Sequence, residues 1–159
     1  MLKSKDRNLF YLIIMAMIVL ECFFYTPKSI AEEECNKKEP ACIVSIVFES
    51  GIKLRYDGLE EYTCKDKLYL IDRGKAGAKY QIERKKKSGI DFYQQAKFDF
   101  SNLNYKETID KNQAIVFITG FFIGKLDGKG FEYKGKVDEV HNVVKEDGNW
   151  KWCGYKKTN

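Results

Sequence analysis

The C-terminal half of the chain carries three long runs rich in apolar and aromatic residues: QAIVFITGFF, FEYKGKVDEVHNVV and NWKWCGY. Such residues in runs of this kind, bounded by turn residues, mark β-strands. A further strand is expected between Ala96 and Thr108, with Phe98 and Phe100 on one face and Leu103 and Tyr105 on the other. That change of face predicts a bulge near Asn102. The next strand, Gln113 to Ile123, is apolar on both faces and reads as central. A third covers Phe131 to Val144 and a last one Asn149 to Tyr155. Turn residues separate them: Asp110-Lys111-Asn112, then Asp127-Gly128, then Asp147-Gly148. An Asp-Gly pair between strands is a strong hairpin signal, because both turn positions take positive φ. Three hairpins in series give a four-stranded antiparallel meander.

The pattern ahead of the strands changes period. In ACIVSIVFESGIKLRY, Ile43, Val47, Ser50 and Leu54 fall on one helical stripe, with Val44, Phe48 and Ile52 beside it. Pro40 suits the first turn of a helix. The β-branched content argues for a strand, but a run reaching Tyr56 is long for one, and the segment is read as a helix. Asp57-Gly58 breaks it. LEEYTC follows as a short second helix, and Asp72 is expected to cap a third helix that stops near Gly89. That helix ends on Arg84-Lys85-Lys86-Lys87, where cations suit the helix macrodipole, so the basic cluster reads as a solvated helix end. The fold class is α+β, with N-terminal helices packed on a curved four-stranded antiparallel meander sheet.

The 159-residue chain is long enough for one domain. Residues 41–156 are assigned to it, with 32–40 as a short leader and 1–31 as a signal peptide. Lys3, Lys5 and Arg7 precede an apolar run from Leu9 to Leu20, and Ser29-Ile30-Ala31 offers small residues to a signal peptidase. The expected location is therefore exported, periplasmic or secreted. The alternative is an N-terminal membrane anchor, which needs about 20 apolar residues. Export leaves Cys35, Cys42, Cys64 and Cys153, an even number for an oxidising compartment. Two disulfides are expected, with three pairings open.

Charge narrows the partners. The first 31 residues hold four Lys/Arg and two Asp/Glu, so the remainder carries 24 cations against 21 anions, about +3. That is too mild to imply nucleic acid. The single histidine, His141, rules out a His-rich metal site, and there is no Cys-x-x-Cys pair and no Gly-rich phosphate loop. No cofactor is expected. The best polar constellation lies on the third long strand. Alternation puts Tyr133, Glu139 and His141 on one face, where a carboxylate beside an imidazole could move a proton, with Tyr133 as donor. Trp150 and Trp152 share a face and read as core. Phe121 and Phe122 are adjacent, so one of them points away from the core, which suggests a docking surface on the sheet.

Two stretches carry a family resemblance: the helical segment ACIVSIVFESGIKLRYDGLEEYT and the closing hairpin VVKEDGNWKWCGY. Together they resemble the cone-shaped, cystatin-like fold of the nuclear transport factor two-like superfamily, in particular its small exported bacterial members of unknown function. The resemblance implies a pocket between helices and sheet, used by some members for isomerisation or dehydration and by others for binding. The expected function is an exported, non-enzymatic binding or accessory domain holding a small apolar ligand or an envelope protein partner. A homodimer through the sheet face is a further expectation. The alternative is a pocket enzyme using Glu139 and His141 as an acid-base pair.

Overall fold

The computed structural model describes residues 36–127 and 130–157. The expected signal peptide and the first four residues of the leader, Cys35 among them, lie outside the described residues. The described part is a mixed α/β arrangement: a five-stranded antiparallel open sheet with a few helices.

Helix α1 spans Pro40–Ile52, with Pro40 at its start. Its apolar stripe wins over its β-branched content because Ile43, Val44 and Val47 are buried on that one face. The helix stops about four residues short of the expected end. Leu54 adopts a positive φ of 57°, and its carbonyl accepts a hydrogen bond from the Tyr93 hydroxyl at 3.0 Å. The start is capped from far away in sequence. Glu39 makes no side-chain cap, and the Glu107 carboxylate accepts the Ala41 N–H at 2.8 Å instead.

LEEY forms a 3-10 turn, Leu59–Tyr62, and a second such turn covers Lys65–Lys67. Helix α2, Leu68–Lys87, starts four residues before the expected cap at Asp72, which lies inside it. Its end is as the sequence suggests. Gly89 takes φ 75°, its N–H bonds Lys86 O, and the Ile90 N–H bonds Lys85 O, which together close a Schellman motif. One short helix, α3 at Phe92–Gln95, was not foreseen; the Asp91 side chain caps it.

The sheet departs from four strands in one respect. Strands β1 (Ala96–Asp99) and β2 (Leu103–Asp110) both pair antiparallel with β3 (Gln113–Leu126), one after the other along the same edge. The expected bulge region near Asn102 is where this edge breaks in two. Opposite the break, Gly120 has φ 117°, and a Cβ there would collide with the Asn102 carbonyl. The register then runs unbroken between β3 and β4 (Phe131–Glu146), from Gln113↔Val144 to Leu126↔Phe131. Strand β5 (Asn149–Lys157) follows a tight turn in which Asp147 and Gly148 both have positive φ. Its pairing with β4 shifts between His141 and Val143, next to Gly154 at φ 108°.

One face of the sheet is covered by α1. Ala114, Val116 and Ile118 of β3 meet Val137 and Val143 of β4, Trp152 of β5 and the buried stripe of the helix. Phe122 belongs to this core, whereas Phe121 points outward beneath the Lys134 ammonium, 3.5 Å from the ring centroid.

Candidate functional site

The alternation of β4 brings Glu139 and His141 to the core face, as expected for residues two apart on a strand. His141 is 3 % exposed, and its Nε2 lies 3.2 Å from Glu139 Oε2. Its other ring nitrogen is also engaged: the Trp152 indole N–H donates to Nδ1 at 2.9 Å. An indole N–H can only donate, so Nδ1 must accept and the ring proton sits on Nε2, facing the carboxylate. The imidazole is thus the middle of a Trp152–His141–Glu139 chain. Phe48 meets it edge-on at 6.3 Å and Tyr155 stacks on it at 5.6 Å. Both ring nitrogens of the histidine are therefore engaged within the fold.

The face continues under α1 with more polar groups. Tyr105 and Glu139 flank Ile118 in register, from β2 and β4. Glu49, from the helix, is pushed above the ordinary carboxylate range by burial; the Lys53 ammonium, 3.4 Å away, offsets part of that. Burial, and next the negative charge of Glu49, hold the Tyr105 hydroxyl well above its usual range. Among the described residues, Tyr105 Oη and Gln95 Oε1 are buried without a hydrogen-bond partner.

Tyr133 does not join this group. It precedes His141 by eight residues on the same strand, about 27 Å at the usual strand rise. The extended strand that puts the three residues on one face also separates the first from the others. Tyr133 is 53 % exposed and instead helps line a cleft of about 190 Å³ at the β3–β4 hairpin end. Its walls are Phe92, Phe98, Phe131, Tyr133 and Leu126, with Gly124 as part of the lining. Phe92 and Phe98 are 5.9 Å apart, and Phe98 leads to Phe122 at 6.2 Å and on to Tyr133 at 6.0 Å. The cleft is therefore an open end of the aromatic core. A larger groove, about 410 Å³, lies between Leu54, Tyr56 and α2, with Asp57, Lys75, Glu83 and Lys86 among its walls. Lys75 there is paired with Glu60 and Asp57.

Cys64 and Cys153 form a disulfide, with Cα atoms 5.1 Å apart and a sequence separation of 89. Backbone bonding supports the same junction, as the Cys64 N–H donates to Trp152 O at 2.9 Å. Cys42 is also disulfide-bonded. Cys64, Asp66 and Glu146 come close enough to share a metal ion, but the Cys64 sulfur is committed to the disulfide, so the set does not fit one. No helix among the described residues is long and apolar enough to cross a membrane.

Three functional contacts escaped sequence reasoning: Glu107 as helix cap, Trp152 as the partner of His141, and Lys85 at the aromatic cleft. Lys85 Nζ stands 4.1 Å from the Phe92 ring centroid. Each contact joins residues on different elements, and only their polar or aromatic character was visible beforehand.

No family model and no curated protein matches the chain. Among solved structures it matches a SEC-C motif containing protein from Rhodopseudomonas palustris, with 14% sequence identity, a TM-score of 0.48 and coverage of 78% of this chain and 82% of that one. A likeness at that level assigns neither family nor function. The expected membership of the nuclear transport factor two-like superfamily is corrected accordingly: no family model matches the chain, and the solved structure it matches is described as a SEC-C motif protein. The reason lies in the motifs that suggested it. An Asp-Gly hairpin followed by core tryptophans, and an amphipathic helix ahead of strands, answer the needs of any antiparallel sheet covered by a helix.

Proposed function

We propose that this chain is an exported, non-enzymatic binding domain whose aromatic cleft at the β3–β4 hairpin end takes a small apolar ligand. The observation that carries this reading is the cleft itself. Phe131 and Tyr133 stay half exposed there beside the packed Phe92 and Phe98. Small-molecule sites are concave and mainly apolar, with few polar groups to orient the ligand. The fully committed ring of His141 favours a bracing role over acid-base work, and Tyr133 stands too far away to complete a proton-transfer set. A further feature accords with the reading: the Cys64–Cys153 disulfide suits an oxidising compartment.

The test is a titration of the full chain with N-phenyl-naphthylamine, a neutral dye that fluoresces in apolar sites. Saturable binding is expected, weakened at least tenfold by Phe131→Ser and Tyr133→Ser with the unfolding midpoint unchanged. Absence of saturable binding, or binding indifferent to both substitutions, overturns the reading.

A second reading has its own observation. Ile115 and Phe117 are exposed on the outer face of β3, the side away from α1, and Val140 of β4 lies opposite Phe117. Such a patch suits an envelope protein partner or a second copy of the chain. Sedimentation of wild type and Phe117→Lys tests it: a shared monomer mass at all concentrations removes the homodimer.

A further inference from the structure

The cleft has one feature that an all-purpose apolar site lacks. Among the described residues, two cations line it, Lys85 from α2 and Lys125 from β3, and no carboxylate does. Lys125 is already paired, 3.1 Å from Glu132. Lys85 has no ion-pair partner among the described residues; its ammonium rests on the Phe92 ring at 4.1 Å. The last turn of α2 shows that this placement is specific. Arg84, Lys86 and Lys87 are exposed, and only Lys85 turns inward to the aromatic wall. The Schellman closure at Gly89, followed by the turn into α3, sets Phe92 beneath it.

An ammonium partly withdrawn from water gains from a ring face, but far less than from a charge-assisted hydrogen bond. The surroundings of Lys85 register that shortfall, since burial alone lowers its proton affinity. A purely apolar ligand covering the cleft would deepen the desolvation and offer nothing in return. A carboxylate at the rim would supply the missing partner while its apolar body fills the space between Phe98, Phe131 and Tyr133. A strongly hydrated dianion would face the aromatic walls without enough donors, so a single carboxylate is the better match.

We infer that the ligand is a small apolar monocarboxylate, an aromatic or short-chain acid, held by its body among Phe98, Phe131 and Tyr133 and by its carboxylate on Lys85. This inference rests on the proposed binding role of the same cleft and adds the chemical class of its occupant.

The experiment is calorimetric titration of the full chain with phenylpropionate and with phenylpropanol, which differ only in the head group. The acid is expected to bind about tenfold or more tightly than the alcohol. Lys85→Met keeps most of the apolar stem, removes the charge, and should make the two ligands bind alike, with the alcohol barely affected. Lys86→Met, one residue along but directed elsewhere, should preserve the acid's advantage. Equal binding of acid and alcohol by wild type overturns the inference while leaving the apolar cleft intact. Retention of the preference by Lys85→Met, or its equal loss in Lys86→Met, overturns the inference in the same way. Failure of both ligands to bind overturns the binding role as well.

Discussion

The two ends of strand β4 obey the same alternation and use it in opposite ways. Around His141 both ring nitrogens are committed: the indole of Trp152 on one, the Glu139 carboxylate at the other, and aromatic rings on the faces. Around Tyr133 the aromatic walls are left open, and the Lys85 ammonium, without an ion-pair partner among the described residues, lies at their edge. The end with the more chemical-looking residues is thus the more structural one. The end that reads as surplus core offers space and an unpaired charge. The difference teaches that a titratable side chain signals function only when part of its bonding capacity is free. Saturation of both nitrogens turns a histidine into a brace.

Substitution and reduction can sharpen or break this contrast. The largest effect is expected from opening Cys64–Cys153, which ties the 3-10 segment to β5 across 89 residues. Chain-entropy arguments put its contribution at about 4–5 kcal/mol. Urea unfolding of the Cys64→Ala/Cys153→Ala protein measures it, and an unchanged midpoint would show that the bridge contributes nothing. His141→Ala comes next. It strands the Trp152 N–H and leaves a cavity, for a loss of about 3–5 kcal/mol. Tyr133→Ala, at the open end, should cost under about 1 kcal/mol, since half of the side chain is already in solvent. Equal losses at the two positions would erase the contrast.

Glu107→Ala, which removes the side-chain acceptor at the start of α1, should fall between those two. About 1 kcal/mol should be lost, read again from the urea midpoint. The smallest is a pH effect. Burial raises the folded-state pKa of Glu49 above its ordinary value of 4.5, so the folded protein binds that proton more tightly than the unfolded chain. Glu49 therefore subtracts stability at neutral pH, and the penalty fades as pH falls through the raised value toward 4.5. Glu49→Gln should shift the wild-type pH slope so that the variant's advantage is greatest at neutral pH. A variant less stable than wild type at neutral pH would show that the Lys53 pairing outweighs the burial.

What could be read from the chain was local. The Asp147-Gly148 turn, the Schellman end at Gly89 and the broken edge at Asn102 all follow from two to five neighbouring residues and the backbone angles they tolerate. Strand alternation also correctly put Glu139 and His141 on one inward face. It grouped Tyr133 with them because a face is not a site: a period of two says which way a side chain points and nothing of how far along the strand its neighbours lie. Likewise Pro40–Ile52 carries both a helical stripe and β-branched residues, and the sheet it covers decided between them. The tertiary structure also chose Cys153 for Cys64, Trp152 for His141, Glu107 for the start of α1 and Lys85 for the aromatic cleft. Dihedral preference acts between neighbours and can be read in order. Pairing of polar groups follows from which of them burial removes from water together, and that is settled only when segments distant in the chain meet.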